Sequence, residues 1–386
     1  MGILGQKQHI RLAIDVSGHA IRGLVFQVLE GGIPKIVRKM QFKSPEEIPA
    51  EKIGEKLHEF VFELIKSLER VPEKITIGVG PELGSQEILT WKLEKTEGFR
   101  LATVKHLEPY FFNLFEQYGT AHHGAIAYPL EVLANGYSLE NFFRSTSSKP
   151  ISFRDLTKNV HELEFRTLCL HFAESTGASL FEMKRSLGGM PVEFVPRVAA
   201  YESAITKGIG IQDVFSISIG WEETSLFLIH GGVLVSLVSF PMGERHCVRS
   251  LAENLSISTV EAEDLKRQEG EIGVESGTKV SEVIAPEMEK WKSLFLSSLN
   301  SFFIYGPVPP KVFLFGVGSH FPQFSEFLKT AEWMKEISYA SSPELISLGA
   351  EAFFGGNTFS GALRGQDDLI LASLVFYSIH HNSLFD

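Results

Sequence analysis

The chain has 386 residues, 44% of them hydrophobic and 22% charged, with a formal charge of −11. That length suits two domains or one large two-lobed unit, and the composition is that of an ordinary globular protein. The negative balance and the lack of a basic stretch argue against nucleic acid as a partner, because phosphate contacts need clustered Lys and Arg.

The elements run as follows. The N-terminus has no apolar h-region, so no secretory signal is expected. Met1-Gly2 resembles a myristoylation start, but Gln6 stands where Ser or Thr is wanted. Ile10 to Ile14 is a short apolar run entering Asp15-Val16-Ser17-Gly18-His19. Strands follow at Ile21 to Leu29 and at about Lys35 to Phe42, with Gly31-Gly32 between them. Glu51 to Arg70 reads as an amphipathic helix, because Ile53, Leu57, Phe60, Val61, Leu64, Ile65 and Leu68 recur at spacings of three and four. Lys74 to Val79 is a buried-type strand.

Residues 83–165 differ in texture. They hold the aromatic group Tyr110, Phe111, Phe112 and Phe115, the pair His122-His123 and a Ser-rich stretch at 145–148. They read as a subdomain inserted between two parts of a first lobe, 1–82 and 166–212. Residues 213–345 form a second lobe, and 346–386 return to the first. A second strand meander spans Val214 to Phe240. Helices are expected at Cys247 to Leu255, at Thr259 to Gln268 with Gly270 as the stop, and at about Val283 to Phe303. Lys311 to Phe315 is a strand ending in Gly316-Val317-Gly318. Two meanders, each followed by helices, make a weak internal repeat, and two related lobes around a cleft are its natural architecture. Cys169 and Cys247 sit beside apolar residues and read as core thiols of a reducing compartment. His122-His123 and His380-His381 lack partners at metal-ligand spacing.

The order of these parts resembles the actin-like ATPase superfamily, most closely the FtsA-type cell-division proteins and their PilM-type relatives. Five segments carry the resemblance. Asp15-Val16-Ser17-Gly18-His19 matches the first phosphate loop, and Ile217 to Thr224 the second. Ala262-Glu263-Asp264-Leu265-Lys266 matches the helix that touches the ribose. Val312 to Phe324 matches the adenosine turn, and Ser347-Leu348-Gly349-Ala350 the return into the first lobe. The segment Ala127 to Tyr137 resembles the end of the insert in these families, an SHS2-type subdomain. The implied fold is α/β, a two-lobed actin-like (ribonuclease H-like) architecture with an FtsA/PilM-type insert.

The resemblance also implies a site and partners. ATP with Mg2+ would be held by Asp15 (the metal carboxylate), Ser17, Gly18, His19, Ser218, Gly220, Thr224, Glu263, Lys266, Gly316 and Gly318. Departures from the pattern weaken that site. Ser218 stands where the family has Asp, Trp221 and Glu222 replace glycines, and Val195 replaces the polar residue that precedes Pro196. A phosphate loop needs glycines for close backbone approach and a carboxylate for Mg2+. Glu222 and Glu223 disfavour phosphates if they face the cleft, and are plain turn residues if they face solvent. Glu202 is a candidate substitute to orient a water, or a solvated helix carboxylate. The implied function is an FtsA-like, self-assembling division scaffold with little or no ATPase activity. It would contact an FtsZ-type tubulin homologue and membrane division proteins. The alternatives are a PilM-like scaffold contacting pilus membrane proteins, and a working ATPase or kinase.

Leu369 to His381 reads either as a membrane-binding amphipathic helix after a Gly/Ser/Asn-rich linker at Gly355 to Asp368, or as a final helix packed on the first lobe. It carries no Lys or Arg to attract anionic lipid. Its apolar stretch is about half the ~20 residues that span a bilayer. A cytoplasmic protein, peripheral at most on the inner face of the plasma membrane, is the expectation.

Overall fold

The computed structural model describes residues 9–44, 46–66, 68–99, 104–119, 124–139, 160–272, 278–354 and 362–381. His122-His123, the stretch 145–148, Met1-Gly2 and most of the Gly-rich part of the linker lie outside them.

The first sheet contains β1 (His9–Val16), β2 (Ala20–Val28), β3 (Pro34–Lys43), β4 (Lys74–Val79) and β9 (Val192–Pro196), in the order β3-β2-β1-β4-β9. The first three strands form an antiparallel meander, and β4 and β9 join in parallel. β1 is apolar because both of its faces are covered. Successive strand residues point to opposite faces. Leu12, Ile14 and Val16 pack with Leu57, Phe60 and Val61 of α1 (Ile53–Ile65). Ala13 joins Leu24 and Phe26 in the cluster of α10 (Leu369–His380). Gly78 in β4 permits this second layer, since a Cβ there would press into the Leu374 side chain.

α10 settles the two readings of its sequence. Every residue from Leu369 to Ser378 is buried, so the helix is a core element of the first lobe and does not lie on a surface. An all-round apolar helix is what a buried position requires. Each Leu, Ile or Phe side chain so placed contributes roughly 1.5–3 kcal/mol. Lys39 ties the start of the helix to β3 through Asp368 at 2.6 Å, and Tyr377 donates a hydrogen bond to Glu193 at 2.9 Å. Among the described residues no helix is long and apolar enough to cross a membrane.

The second sheet repeats the first. β10 (Val214–Ile219), β11 (Thr224–His230), β12 (Val233–Phe240), β13 (Lys311–Phe315) and β14 (Glu344–Ser347) are ordered β12-β11-β10-β13-β14, again a meander with two parallel strands. Phe215, Ile217, Ile219, Leu226 and Leu228 face α5 (Glu244–Leu255) and α7 (Thr278–Leu299), around buried Trp291 and Phe295. α6 (Thr259–Ile272) continues through Gly270. A glycine costs a helix interior about 1 kcal/mol and need not end it. α7 begins before the expected Val283 and carries Pro286 in its interior.

A third sheet holds β5 (Gly84–Glu94), β6 (Ala125–Ala134), β7 (Tyr137–Ser138) and β8 (Glu162–Phe172), in the order β5-β8-β6-β7. α2 (Glu108–Gly119) packs on it through Phe111, beside Trp91 and Phe165. Arg166 reaches from β8 to Glu131 at 3.2 Å and to the Val235 carbonyl of β12 at 3.3 Å, so this sheet also touches the second lobe. Cys169 and Cys247 are both buried free thiols.

The lobes share one apolar cluster. α4 (Arg197–Ser203) lies between the sheets, and its Tyr201 ring packs 4.8 Å from Phe315 and 6.3 Å from Phe227. Tyr201, Phe227, Phe315, Leu371 and Val375 belong to the same cluster. It forms the floor of the cleft.

Candidate functional site

Above this floor the two hairpin turns, β1–β2 and β10–β11, face each other across a cavity of about 1080 Å³. Of the residues singled out from sequence, Asp15, Ser17, His19, Ser218, Gly220, Glu263, Lys266 and Gly316 line it. Gly18, Thr224 and Gly318 do not. The Thr224 hydroxyl points into the second lobe's core. It donates to the Met242 carbonyl at 2.8 Å and accepts from the Trp291 indole at 2.8 Å.

The first turn is held by its own groups. Ser17 N–H donates to the Ala20 carbonyl at 2.9 Å, and the Ser17 hydroxyl accepts from Ala20 N–H at 3.0 Å. The Gly18 and His19 carbonyls accept from Ile48 at 2.7 Å and Ser44 at 2.8 Å.

Asp15 is 2% exposed. Arg197 Nε donates to its Oδ1 at 2.5 Å and Arg22 Nη2 to its Oδ2 at 2.7 Å. Burial alone would raise this carboxyl, but the two guanidiniums hold it below the usual carboxylate range. Arg197 also donates to the Val16 carbonyl at 2.8 Å and pairs with Glu82 at 2.8 Å. Each Asp15 oxygen is thus engaged by a guanidinium. Among the described residues no group of three or more His, Cys, Asp or Glu is placed to hold a metal ion.

The second turn faces the cleft with its acidic residues. Glu222 accepts two hydrogen bonds from Arg245 Nη1, at 3.0 and 2.8 Å, and its carboxylate lies against His19 Nδ1. Burial, aided by Arg245, lowers the His19 imidazole against the pull of Glu222 and Glu47. Glu223 is pushed well above the usual carboxyl range by burial first and then by nearby Glu82. Glu82 is itself raised by burial, against the pull of Arg197.

The start of α5 is capped by this turn. Glu244 N–H donates to the Gly220 carbonyl at 3.0 Å and Arg245 N–H to the Trp221 carbonyl at 2.8 Å. These are helix-start donors that elsewhere serve anions. Gly243 makes the approach possible, because a Cβ there would collide with the Gly220 and Trp221 carbonyls.

Glu263 and Lys266 share a helix face, but each has a different partner. Lys266 pairs with buried Glu244, and Glu263 reaches Lys43 of the first lobe at 3.6 Å. Gly316 adopts φ 95° beside the Ile219 carbonyl, where a side chain would clash. Glu202 accepts from Thr206, one turn further along the chain, at 3.5 Å and does not line the cavity. Sequence reasoning missed Arg22, Arg197 and Arg245. All three lie on apolar elements or helix starts, and the only available signal was a lone Arg following Val195-Pro196.

The cavity wall carries carboxylates and cations in near balance. Asp15, Glu82, Glu222, Glu223, Glu244, Glu263 and Asp367 meet Arg22, Lys43, Arg197, Arg245, Arg249 and Lys266. Glu47, Glu263 and Glu222 each meet a group of the opposite lobe, and Ser319 meets Gln366 of the return segment. The arrangement can hold the lobes together by its own pairs.

No protein-family model matches the chain, and no curated protein is similar to it. Solved structures are. A chain of a PilM–PilN type IV pilus biogenesis complex superposes with a TM-score of 0.65 at 14% identity, over 96% of this chain and 99% of that one. The ethanolamine utilization protein EutJ of Carboxydothermus hydrogenoformans gives 0.48 at 11% identity, over 96% and 89%. MreB 5 of Spiroplasma citri, bound to AMPPNP, gives 0.46 at 10%, over 97% of each chain. With the repeated strand order, the PilM likeness establishes that the chain has the two-lobed actin-like ATPase fold.

Proposed function

We propose that this chain is a PilM-like cytoplasmic scaffold of type IV pilus assembly, working through a membrane-protein partner and not through ATP turnover. The observation that carries the reading is the self-paired cleft. Asp15 is clamped by Arg22 and Arg197, and Glu222 by Arg245 and His19. Where the resemblance expects phosphates and Mg2+, this chain places carboxylates and their own counter-ions. Two like charges ~4 Å apart repel by roughly 4 kcal/mol at an effective dielectric near 20. The Glu222 carboxylate therefore opposes a triphosphate, although Glu263, Lys266 and Gly316 remain beside the cavity.

Two further points favour pilus over division. The superposition on the PilM–PilN chain spans nearly all of both chains. The helix that an FtsA-type role would lay on the membrane is buried in the first lobe.

The test has two parts. Thermal unfolding with millimolar Mg-ATP should show no stabilisation and no phosphate release, since a ligand that binds only the native state raises its stability once above Kd. A fluorescent peptide from the cytoplasmic segment of a PilN-type protein of the same genome should bind in an anisotropy titration. Steady ATP hydrolysis, or absence of peptide binding by a folded sample, would sink the reading.

A further inference from the structure

Glu222 stands at the tip of the β10–β11 turn, with its side chain 18% exposed. It has the surroundings of a bound oxyanion. Arg245 Nη1 meets both of its oxygens, and the His19 ring, from the opposite lobe, meets Oε1. Arg245 leans in addition towards Glu47 of the first lobe at 3.6 Å. The main-chain donors of the same helix start are already taken by the Gly220 and Trp221 carbonyls. The corner thus has one side-chain donor, Arg245, the His19 ring of the opposite lobe in close contact, and one internal carboxylate between them.

We propose that Glu222 is a built-in anion: it fills an oxyanion corner formed by His19 and Arg245, bridges the two turns without any ligand, and keeps phosphate-bearing ligands out. The inference deepens the scaffold reading and rests on it, because a cleft that turns over nucleotide must leave this corner free. Its chemistry is simple. A carboxylate tethered by a turn competes with a free anion at high effective concentration. It also repels that anion through like charge, a juxtaposition that costs several kcal/mol when desolvated. Removing it should leave Arg245 and His19 facing an empty corner. Glu47, Glu82 and Glu223 remain nearby as opposing charges, and Arg197 as a supporting one.

The probes are inorganic phosphate and ATP, titrated at constant ionic strength by calorimetry and thermal unfolding. The proteins are wild type, Glu222→Ala, Glu222→Gln and the double variant Glu222→Ala with Arg245→Ala. Circular dichroism first establishes that each is folded. Wild type should show no phosphate-dependent shift. Glu222→Ala should melt lower than wild type, recover part of the loss in phosphate, and bind phosphate about tenfold tighter or better. Glu222→Gln keeps the side chain's shape and should gain the same way to a lesser degree. The double variant should lose the gain. If the folded Ala or Gln variant binds phosphate no better than wild type, the built-in anion is overturned. ATP hydrolysis by wild type overturns the scaffold reading instead, so the two failures are told apart.

Discussion

The cleft has a floor and a rim, and they are held by different physics. The floor is apolar, with Tyr201 of α4 between Phe227 and Phe315 and with α10 beneath. The rim is polar, with Arg245–Glu47 and Lys43–Glu263 as its ion pairs and the His19 ring against Glu222. Burial of apolar area is non-directional and involves no charges for salt to screen. Exposed ion pairs weaken with ionic strength and contribute little each. The floor therefore keeps the lobes joined under all conditions, whereas the rim sets how readily they part.

Substitutions can break this contrast, and the largest effect is expected where charge is buried against the floor. Arg197→Ala leaves Asp15 and Glu82 without their shared counter-ion. Breaking a buried pair from one side costs about 3–5 kcal/mol. Chemical denaturation should show that loss, and a loss below about 1 kcal/mol would place Arg197 among the rim residues. Next comes Leu374→Ala in α10, a fully buried side chain seated against Gly78. It should cost about 2–5 kcal/mol in the same assay, and high salt should not change the difference.

Glu223→Gln acts in the opposite direction. The folded protein holds this carboxyl above its ordinary value of 4.5. Between 4.5 and the higher folded value the native state binds the extra proton. Stability is thus present at low pH and falls as pH rises through that window. Glutamine does not titrate, so the variant should melt higher than wild type at neutral pH. Its profile of Tm against pH should decline less, with Glu82 supplying what slope remains. A variant that melts lower at neutral pH would contradict the assigned direction. The smallest effect belongs to Lys43→Ala, whose side chain is 68% exposed. It should change stability by no more than about 0.5 kcal/mol, and that change should vanish in high salt.

The floor was far more legible in the sequence than the rim. Lys74 to Val79 and Lys311 to Phe315 were readable as strands because short, mainly apolar, β-branched or aromatic runs suit parallel strands covered on both faces. The repeated meander gave the two lobes for the same reason. β5 was not singled out, because Glu87, Lys92 and Glu94 interrupt its apolar residues. The helix read as Glu51 to Arg70 ends at Ile65, and periodicity alone did not mark that stop. The rim was opaque for a different reason. Arg197 and Asp15 are 182 positions apart, and Arg245 and Glu222 are 23 apart. No local spacing links such partners. The resemblance marked Trp221 and Glu222 as replacing glycines of the second phosphate loop, but the orientation of Glu222 and Glu223 came only with the fold.

α10 also has a consequence in time. On the α5 and α7 face of the second sheet, every member of the apolar cluster lies between Phe215 and Leu345, so that core needs nothing from α10. The first lobe is not continuous: Ala13, Leu24 and Phe26 wait for Leu371, Leu374 and Val375. Those partners are made after both sheets, whereas β1 is made before them. The core beneath α5 and α7 should thus mature before that of the first sheet, and β1 and β2 keep one apolar face uncovered until α10 is made, in need of a chaperone or of speed.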